Sequence, residues 1–427
     1  MKTVYRHCTI LSGREDMTAE KDMAVVVEDG KIAAIVPDAQ APQDGKVTDL
    51  GGRYLMPGLI NLHVHLPAGG KPKKKQTDNN KLVKLILSNA LTREVGVQLG
   101  TGFAKTELMS GVTTLRAVGG VSNFDSILRD RIDAGKAVGP RILAANSAIG
   151  TPGGHMVGSV AVGAESLDEA MALVRQRAEE GVDLIKLMIT GGVLDAKVKG
   201  EPGVMKMPPE YVKACCDEAH KLGLQVAAHV ESPEGVRVAI ENGVDTIEHG
   251  AKMSEHEIEL FQKNGAAYIC TLSPAFPLAR FDRAVTGISE MVQYNSEVVL
   301  DGCIEGAKAA LQNGIPVGLG TDTGCPYITH YDMWRELYHF VKLAGVTPTF
   351  ALHTATLKNA QIAGVADETG SIEVGKSADF LITDGDPLAD FQTMRKPYMV
   401  VFRGKQYLQP KIKKYEECER ELDRYML

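Results

Sequence analysis

The chain has 427 residues, 44% of them hydrophobic, with a formal net charge of -7 and a pI near 5.9. That is enough apolar material for one barrel-sized domain plus an accessory unit, and the acidic balance argues against a nucleic-acid or anionic-membrane surface. No apolar run approaches the roughly 18 residues of a membrane span and "MKTVYRHCTI" lacks the apolar core of a signal peptide, so a cytoplasmic protein is expected. Seven scattered cysteines, odd in number and without a CxxC pair, fit a reduced compartment and small core positions.

In chain order, residues 1–56 alternate apolar and polar positions ("TVYRHCTI", "MAVVVEDGKIAAIV"), with Asp-Gly and Gly-Gly at turns, which reads as short antiparallel strands. The same texture returns after residue 371 in "SIEVGKSADFLITDGD" and "YMVVFRGKQYL". Both ends are therefore expected to pair into one discontinuous β-sandwich domain, 1–56 with 372–427, flanking a catalytic domain over 57–371.

Within 57–371 apolar runs alternate with helical stretches. The expected strands are "GLINLHVHL", "VTTLRAVGG", "RILAANSAIG", "VDLIKLMITGG", "LQVAAHVES", "DTIEHGAKM", "AAYICTLSP" and "IPVGLGTDTG". Helices such as "SLDEAMALVRQRAEEG", "PPEYVKACCDEAHKLG" and "EHEIELFQKNG" start on Ser, Pro or acidic residues and stop on Gly. Eight such units predict an α/β fold of the (β/α)₈ barrel type, whose chemistry sits at the carboxyl ends of the strands. Two stretches, "PAGGKPKKKQTDNN" and "GGVLDAKVKGEPGVMK", are expected as loops over that face, and the KPKKK cluster as solvated charge. The tail "PKIKKYEECERELDRYML" reads as a charged helix for packing or subunit contact, in keeping with a homo-oligomer.

In "LINLHVHL" the histidines stand two apart, so a strand presents His63 and His65 on one face. His229, His249 and Asp322 fall near the ends of the fifth, sixth and eighth strands. Imidazoles and a carboxylate in a buried throat are costly without a common partner, and the natural one is a divalent transition metal, zinc first. Lys186 stands in the fourth strand among Val, Leu, Ile and Met, where a protonated amine beside a dication is disfavoured. It is expected to be neutral or altered. Addition of CO2 gives a carbamate with two oxygens, suited to bridging two metals.

Together "PGLINLHVHL", Lys186, "AAHV", "TIEHG", "GTDTG" and "GSIEVGKSADFLI" resemble the amidohydrolase superfamily, binuclear-metal subtype, over nearly the whole chain. The resemblance implies a (β/α)₈ barrel with a β-sandwich from both termini. It implies that His63, His65 and Asp322 hold the more buried of two divalent ions, that His229 and His249 hold the more exposed one, and that carboxylated Lys186 and a hydroxide bridge them. It implies hydroxide attack on a small-molecule amide, with Asp322 as the catalytic base that carries a proton to the leaving nitrogen. His155, in "GTPGGHMVG", resembles a histidine that contacts the substrate carbonyl, a second catalytic role. The other histidines, His7, His220, His256, His330, His339 and His353, are read as structural.

The subgroup it most resembles contains Xaa-Pro dipeptidase-like enzymes, arginine carboxypeptidases and ochratoxin amidases. Two departures bear on substrate. Val230 and Glu231 stand where these relatives carry a small residue and a carboxylate-binding tyrosine, and Ala117 in "RAVGG" replaces an aspartate. If Glu231 faces the pocket, it repels a substrate carboxylate and favours a cationic group, an N-acyl compound or a cyclic amide. The alternatives are an imidazolonepropionase- or deaminase-like one-metal hydrolase, which needs no lysine on the fourth strand, a lactonase, and a silent scaffold of the same fold.

Overall fold

A computed structural model describes residues 2–72 and 78–426. Most of the KPKKK cluster, together with Gln76, Thr77 and the last residue of the tail, lies outside the described residues.

The N-terminal strands are β1 (Lys2–Ile10), β2 (Glu20–Glu28), β3 (Lys31–Pro37), β4 (Lys46–Asp49) and β5 (Tyr54–Pro57). β2 and β3 form a hairpin whose turn residues, Asp29 and Gly30, both have positive φ, the two-residue geometry that matches strand twist. Glycine is required at position 30 for a second reason: a Cβ there would lie 2.8 Å from the Arg403 carbonyl oxygen of the C-terminal hairpin.

The barrel strands follow as β6 (Leu59–Val64), β7 (Val112–Ala117), β8 (Arg141–Ala144), β9 (Ala148–Gly150), β10 (Ala161–Gly163), β11 (Leu184–Met188), β12 (Gln225–Val230), β13 (Thr246–His249), β14 (Ala267–Cys270) and β15 (Val317–Leu319). The chain then returns to the first sheet through β16 (Phe380–Thr383), β17 (Met399–Phe402) and β18 (Lys405–Leu408). That sheet runs β18-β17-β16-β5-β1-β2-β3, with β4 also on β1, so strands from both termini share one structure and one core around Tyr5, Val25, Leu55, Phe380 and Val401.

One expectation is corrected. The terminal sheet is mixed, because β4 and β5 both pair parallel to β1. After β3 the chain turns over Asp38–Gln40 and crosses to the far side of β1, which brings the next strands in along the same direction.

The barrel closes where Asp322 N–H donates to the His63 carbonyl (2.8 Å) and His65 N–H to the Thr323 carbonyl (3.1 Å). The third expected strand is broken in two. Asn146 takes a left-handed φ of 58° while its buried amide bonds Ser126 and Glu180, so β8 stays with β7 and β9 pairs with β10 and β11. Alternation sorts the other strands. In β11, Ile185 and Leu187 pack outward in the main core, and Leu184 packs inward with Val118 and Ala227. In β6, Ile60 and Leu62 face Ala360 and Ile362.

Helix limits follow the caps. Ser166 caps the helix Leu167–Glu179 by accepting from Glu169 N–H, and Gly265 in the left-handed region ends Glu255–Asn264. The terminal helix Glu416–Arg424 docks on the barrel, Cys418 and Leu422 joining its core while Glu419 and Asp423 pair with Arg335 and Arg395. No helix among the described residues is long and apolar enough to cross a membrane.

Candidate active site

His63, with alternation, points into the barrel, and His65 follows it at the strand end. Their rings lie 5.3 Å apart. The His63 ring is 4.8 Å from that of His249, which is 4.7 Å from that of His229. Asp322 Oδ1 lies 3.1 Å from His65 Nε2 and 3.5 Å from His63 Nε2. Lys186, on the strand beside that of His229 and in register with Ala227 two residues before it, is buried near Asp322 and Glu248. All six expected ligands are thus gathered at the carboxyl end of the barrel. His249 and Asp322 both adopt positive φ, 67° and 55°. Such backbone costs on the order of 1–3 kcal/mol in a non-glycine residue, and here it turns the last residue of β13, and Asp322 just beyond β15, toward the others.

Each imidazole has one nitrogen tied. His63 Nδ1 bonds Glu248 Oε2 (2.7 Å), His65 Nδ1 donates to the Gly119 carbonyl (2.8 Å), His249 Nδ1 meets Thr271 Oγ1 (2.7 Å), and His229 Nε2 donates to the Gly191 carbonyl (3.2 Å). A carbonyl only accepts, so His229, when neutral, carries its proton on Nε2 and leaves Nδ1 as a lone pair, while His65 donates from Nδ1 and turns Nε2 toward Asp322 Oδ1. This is the outer bonding that orients metal-binding histidines. Ligand atoms of His63, His249 and Asp322 lie within 4.8 Å of one another, as do those of His229, Glu231 and His249.

The electrostatics agree. Burial, then the neighbouring Lys186 charge, brings His63 down to about 4, and burial also lowers His229 and His249 well below the usual imidazole value. These rings are neutral and able to ligate. Burial lowers Lys186 to about 8, against the attraction of Glu248 and Asp322, and its Nζ has no hydrogen-bond partner.

Two residues that sequence reasoning passed over hold this layer together. Glu248 is fully buried; burial opposes its ionisation, but the Arg116 guanidinium and the His63 ring keep its pKa below the ordinary range. Arg116 Nη2 donates to Glu248 Oε1 (2.7 Å) and Arg116 Nε to the Leu62 carbonyl (2.8 Å), linking three strands. The signal was present in "TIEHG" and "TLRAV", where charges of opposite sign interrupt buried strands.

His155 stacks on His229 at 4.2 Å with near-parallel rings, and its Nδ1 bonds Asp195 of the 191–206 loop. That loop is fastened to the helix Glu290–Gln312 by Asn295, which accepts from Gly200 N–H and donates to the Val198 carbonyl. Glu231 faces inward: its Oε2 is buried without a partner, and burial, with Asp322 and Asp195 nearby, raises it to about 8. Ala117 lies in the apolar layer between strands and helices, away from these groups. His330 bonds Glu107 and the Ala68 carbonyl, both ring nitrogens engaged outside the cluster.

Residues 54–407 match the amidohydrolase family. The fold superposes on a crystal structure of a prolidase candidate from Bifidobacterium longum with a TM-score of 0.87 and 37% identity, covering 99% of this chain and 98% of that one. It superposes on a Xaa-Pro dipeptidase with methionine in its active site at a TM-score of 0.84 and 30% identity, covering 96% and 100%. Among curated proteins, ochratoxinase from Aspergillus niger is 26% identical over 414 residues, 90% of this chain and 82% of that protein.

Proposed function

Since the chain belongs to the amidohydrolase family and is an enzyme that hydrolyses amide bonds, we propose that it uses two divalent metal ions to cleave a carbon–nitrogen bond of a small molecule. The substrate class is a dipeptide, an N-acyl amino acid or a cyclic amide. The observation that carries the reading is the Lys186 amine, 1% exposed and without a partner inside a ring of histidines and a carboxylate. A bare amine there costs free energy with nothing in return. Conversion to a carbamate (R–NH2 + CO2 → R–NH–COO⁻ + H⁺) removes the ammonium charge and supplies two oxygens.

The donor set fits metal. His63, His65 and Asp322 would hold one ion, His229 and His249 the other, with carboxylated Lys186 between; imidazole and carboxylate suit zinc first. Two such ions supply carbonyl polarisation and a water whose pKa falls to about 7. The remaining work belongs to the chain. Asp322 would take a proton and pass it to the leaving nitrogen, a role supported by its Oδ2, which touches only the Cys325 thiol at 3.8 Å among the bonds described. His155 would donate to the substrate carbonyl oxygen, a role supported by its bond to Asp195 and its stacking on His229. The 191–206 loop, tied down by Asn295, carries Asp195 to His155. With Glu231 standing where relatives carry a carboxylate-binding tyrosine, and Asp195 beside His155, the mouth supports an uncharged or cationic flank on the substrate over a bare carboxylate.

Metal analysis in bicarbonate buffer should give near two equivalents per chain, and Lys186→Ala should lose turnover, with partial rescue by short carboxylates. Full activity of Lys186→Ala without rescue refutes the bridging role. Turnover of lactones with failure of every amide in a panel of dipeptides, N-acyl amino acids and cyclic amides refutes the substrate class.

A further inference from the structure

The Glu231 side chain is placed with unusual definition. Its backbone N–H donates to Thr190 Oγ1 (3.0 Å). Its carbonyl packs so closely on Gly203 that a Cβ there would lie 2.3 Å away. The next residue, Ser232, caps the helix Pro233–Glu241 by accepting from Gly235 N–H. Thus pinned on both sides, the side chain runs past Gly192, where a Cβ would fall 2.8 Å from the His155 ring and 3.5 Å from Glu231 Oε2. The carboxylate ends within 4.8 Å of ligand nitrogens of both His229 and His249, and Oε2 has no hydrogen-bond partner there.

We propose that Glu231 is itself a metal ligand, completing with His229 and His249 a two-histidine, one-carboxylate set for the more exposed ion. This rests on the two-metal reading above. Such a set, with an added hard oxygen donor, accommodates Fe(II), Mn(II) and Co(II) as well as zinc. The second ion is consequently held more tightly than by two imidazoles and the bridge alone, and the site's preference moves toward the harder ions.

The test is metal binding by the full-length protein, stripped and titrated in bicarbonate buffer against a chromophoric chelator with Zn(II), Mn(II) and Co(II). Wild type should bind two ions. Glu231→Gln, which keeps the shape, should retain the first and weaken the second at least about tenfold, as loss of a ligand should cost no less than loss of an outer partner. The loss should be larger for Mn(II) than for Zn(II), and the Co(II) visible absorption should intensify as the coordination number falls. Two ions in wild type with second-site affinity within twofold in Glu231→Gln and an unchanged Co(II) spectrum overturn the assignment; so does a variant that keeps both ions while only its substrate preference changes. Fewer than two ions in wild type overturns the two-metal reading instead, and this inference with it. Should Glu231→Gln fail to fold, Glu231→Asp decides by the same two measurements: the retracted carboxylate weakens the second ion if it is a ligand and leaves it within twofold if it is not.

Discussion

Replacing Lys186 by methionine should stabilise the metal-free protein while disabling the enzyme. Burial brings the amine from an ordinary value of 10.5 to about 8. At about 1.4 kcal/mol per unit this is a penalty of about 3 kcal/mol, already net of the attraction of Glu248 and Asp322. The sign follows from proton counts. Below pH 8 the amine is protonated in both the folded and unfolded chains and the whole penalty applies. Between pH 8 and 10.5 the unfolded chain binds more protons, so stability rises with pH and the penalty fades. Methionine has similar length, no charge and no donor. For 427 residues the unfolding entropy near Tm is about 0.9 kcal/mol/K, so Lys186→Met should raise Tm by about 3–4 °C at pH 7 and by almost nothing near pH 10.5. Calorimetry of both metal-free proteins in CO2-free buffer at the two pH values measures this. A lower Tm for the variant at pH 7, or an equal rise at both pH values, refutes the claim that the bare amine is a liability kept for function.

Glu248→Gln should cost about 3–5 kcal/mol, because it leaves the buried Arg116 guanidinium without its counter-charge, and a Glu248→Leu, Arg116→Met pair should lose less than the sum of its parts. Urea unfolding of Glu248→Gln, of the single Glu248→Leu and Arg116→Met changes and of their double variant checks this, and equal stability of wild type and Glu248→Gln contradicts it. His155→Ala should lower kcat by about 10²–10³ with little change in KM, as expected when a hydrogen bond to a developing oxyanion is lost. Asp195→Asn should produce a smaller loss through the orientation of His155, and steady-state kinetics showing a change in KM alone would place His155 in ground-state binding.

The legible part of this protein was periodic or costly. Alternation over β1 to β3 and β16 to β18, and apolar runs punctuated by glycine, depend only on neighbours in sequence, so the strands and helix caps could be read directly. His63, His65, Lys186, His229, His249 and Asp322 were legible because polar groups in apolar strands carry a desolvation cost that must be met somewhere. Other features depend on residues far apart in the chain. The parallel pairing of β4 and β5 with β1 follows from the path taken after β3, and the break between β8 and β9 from Asn146 reaching Ser126 and Glu180. The Arg116–Glu248 pair, separated by 132 positions, reads as two unrelated charges until the barrel closes. Glu231 shows the division most clearly. Its identity was plain, but whether it faced solvent or the histidines was decided by Thr190 and Gly203 holding its backbone, contacts that exist only once the fifth strand and the 191–206 loop have packed together.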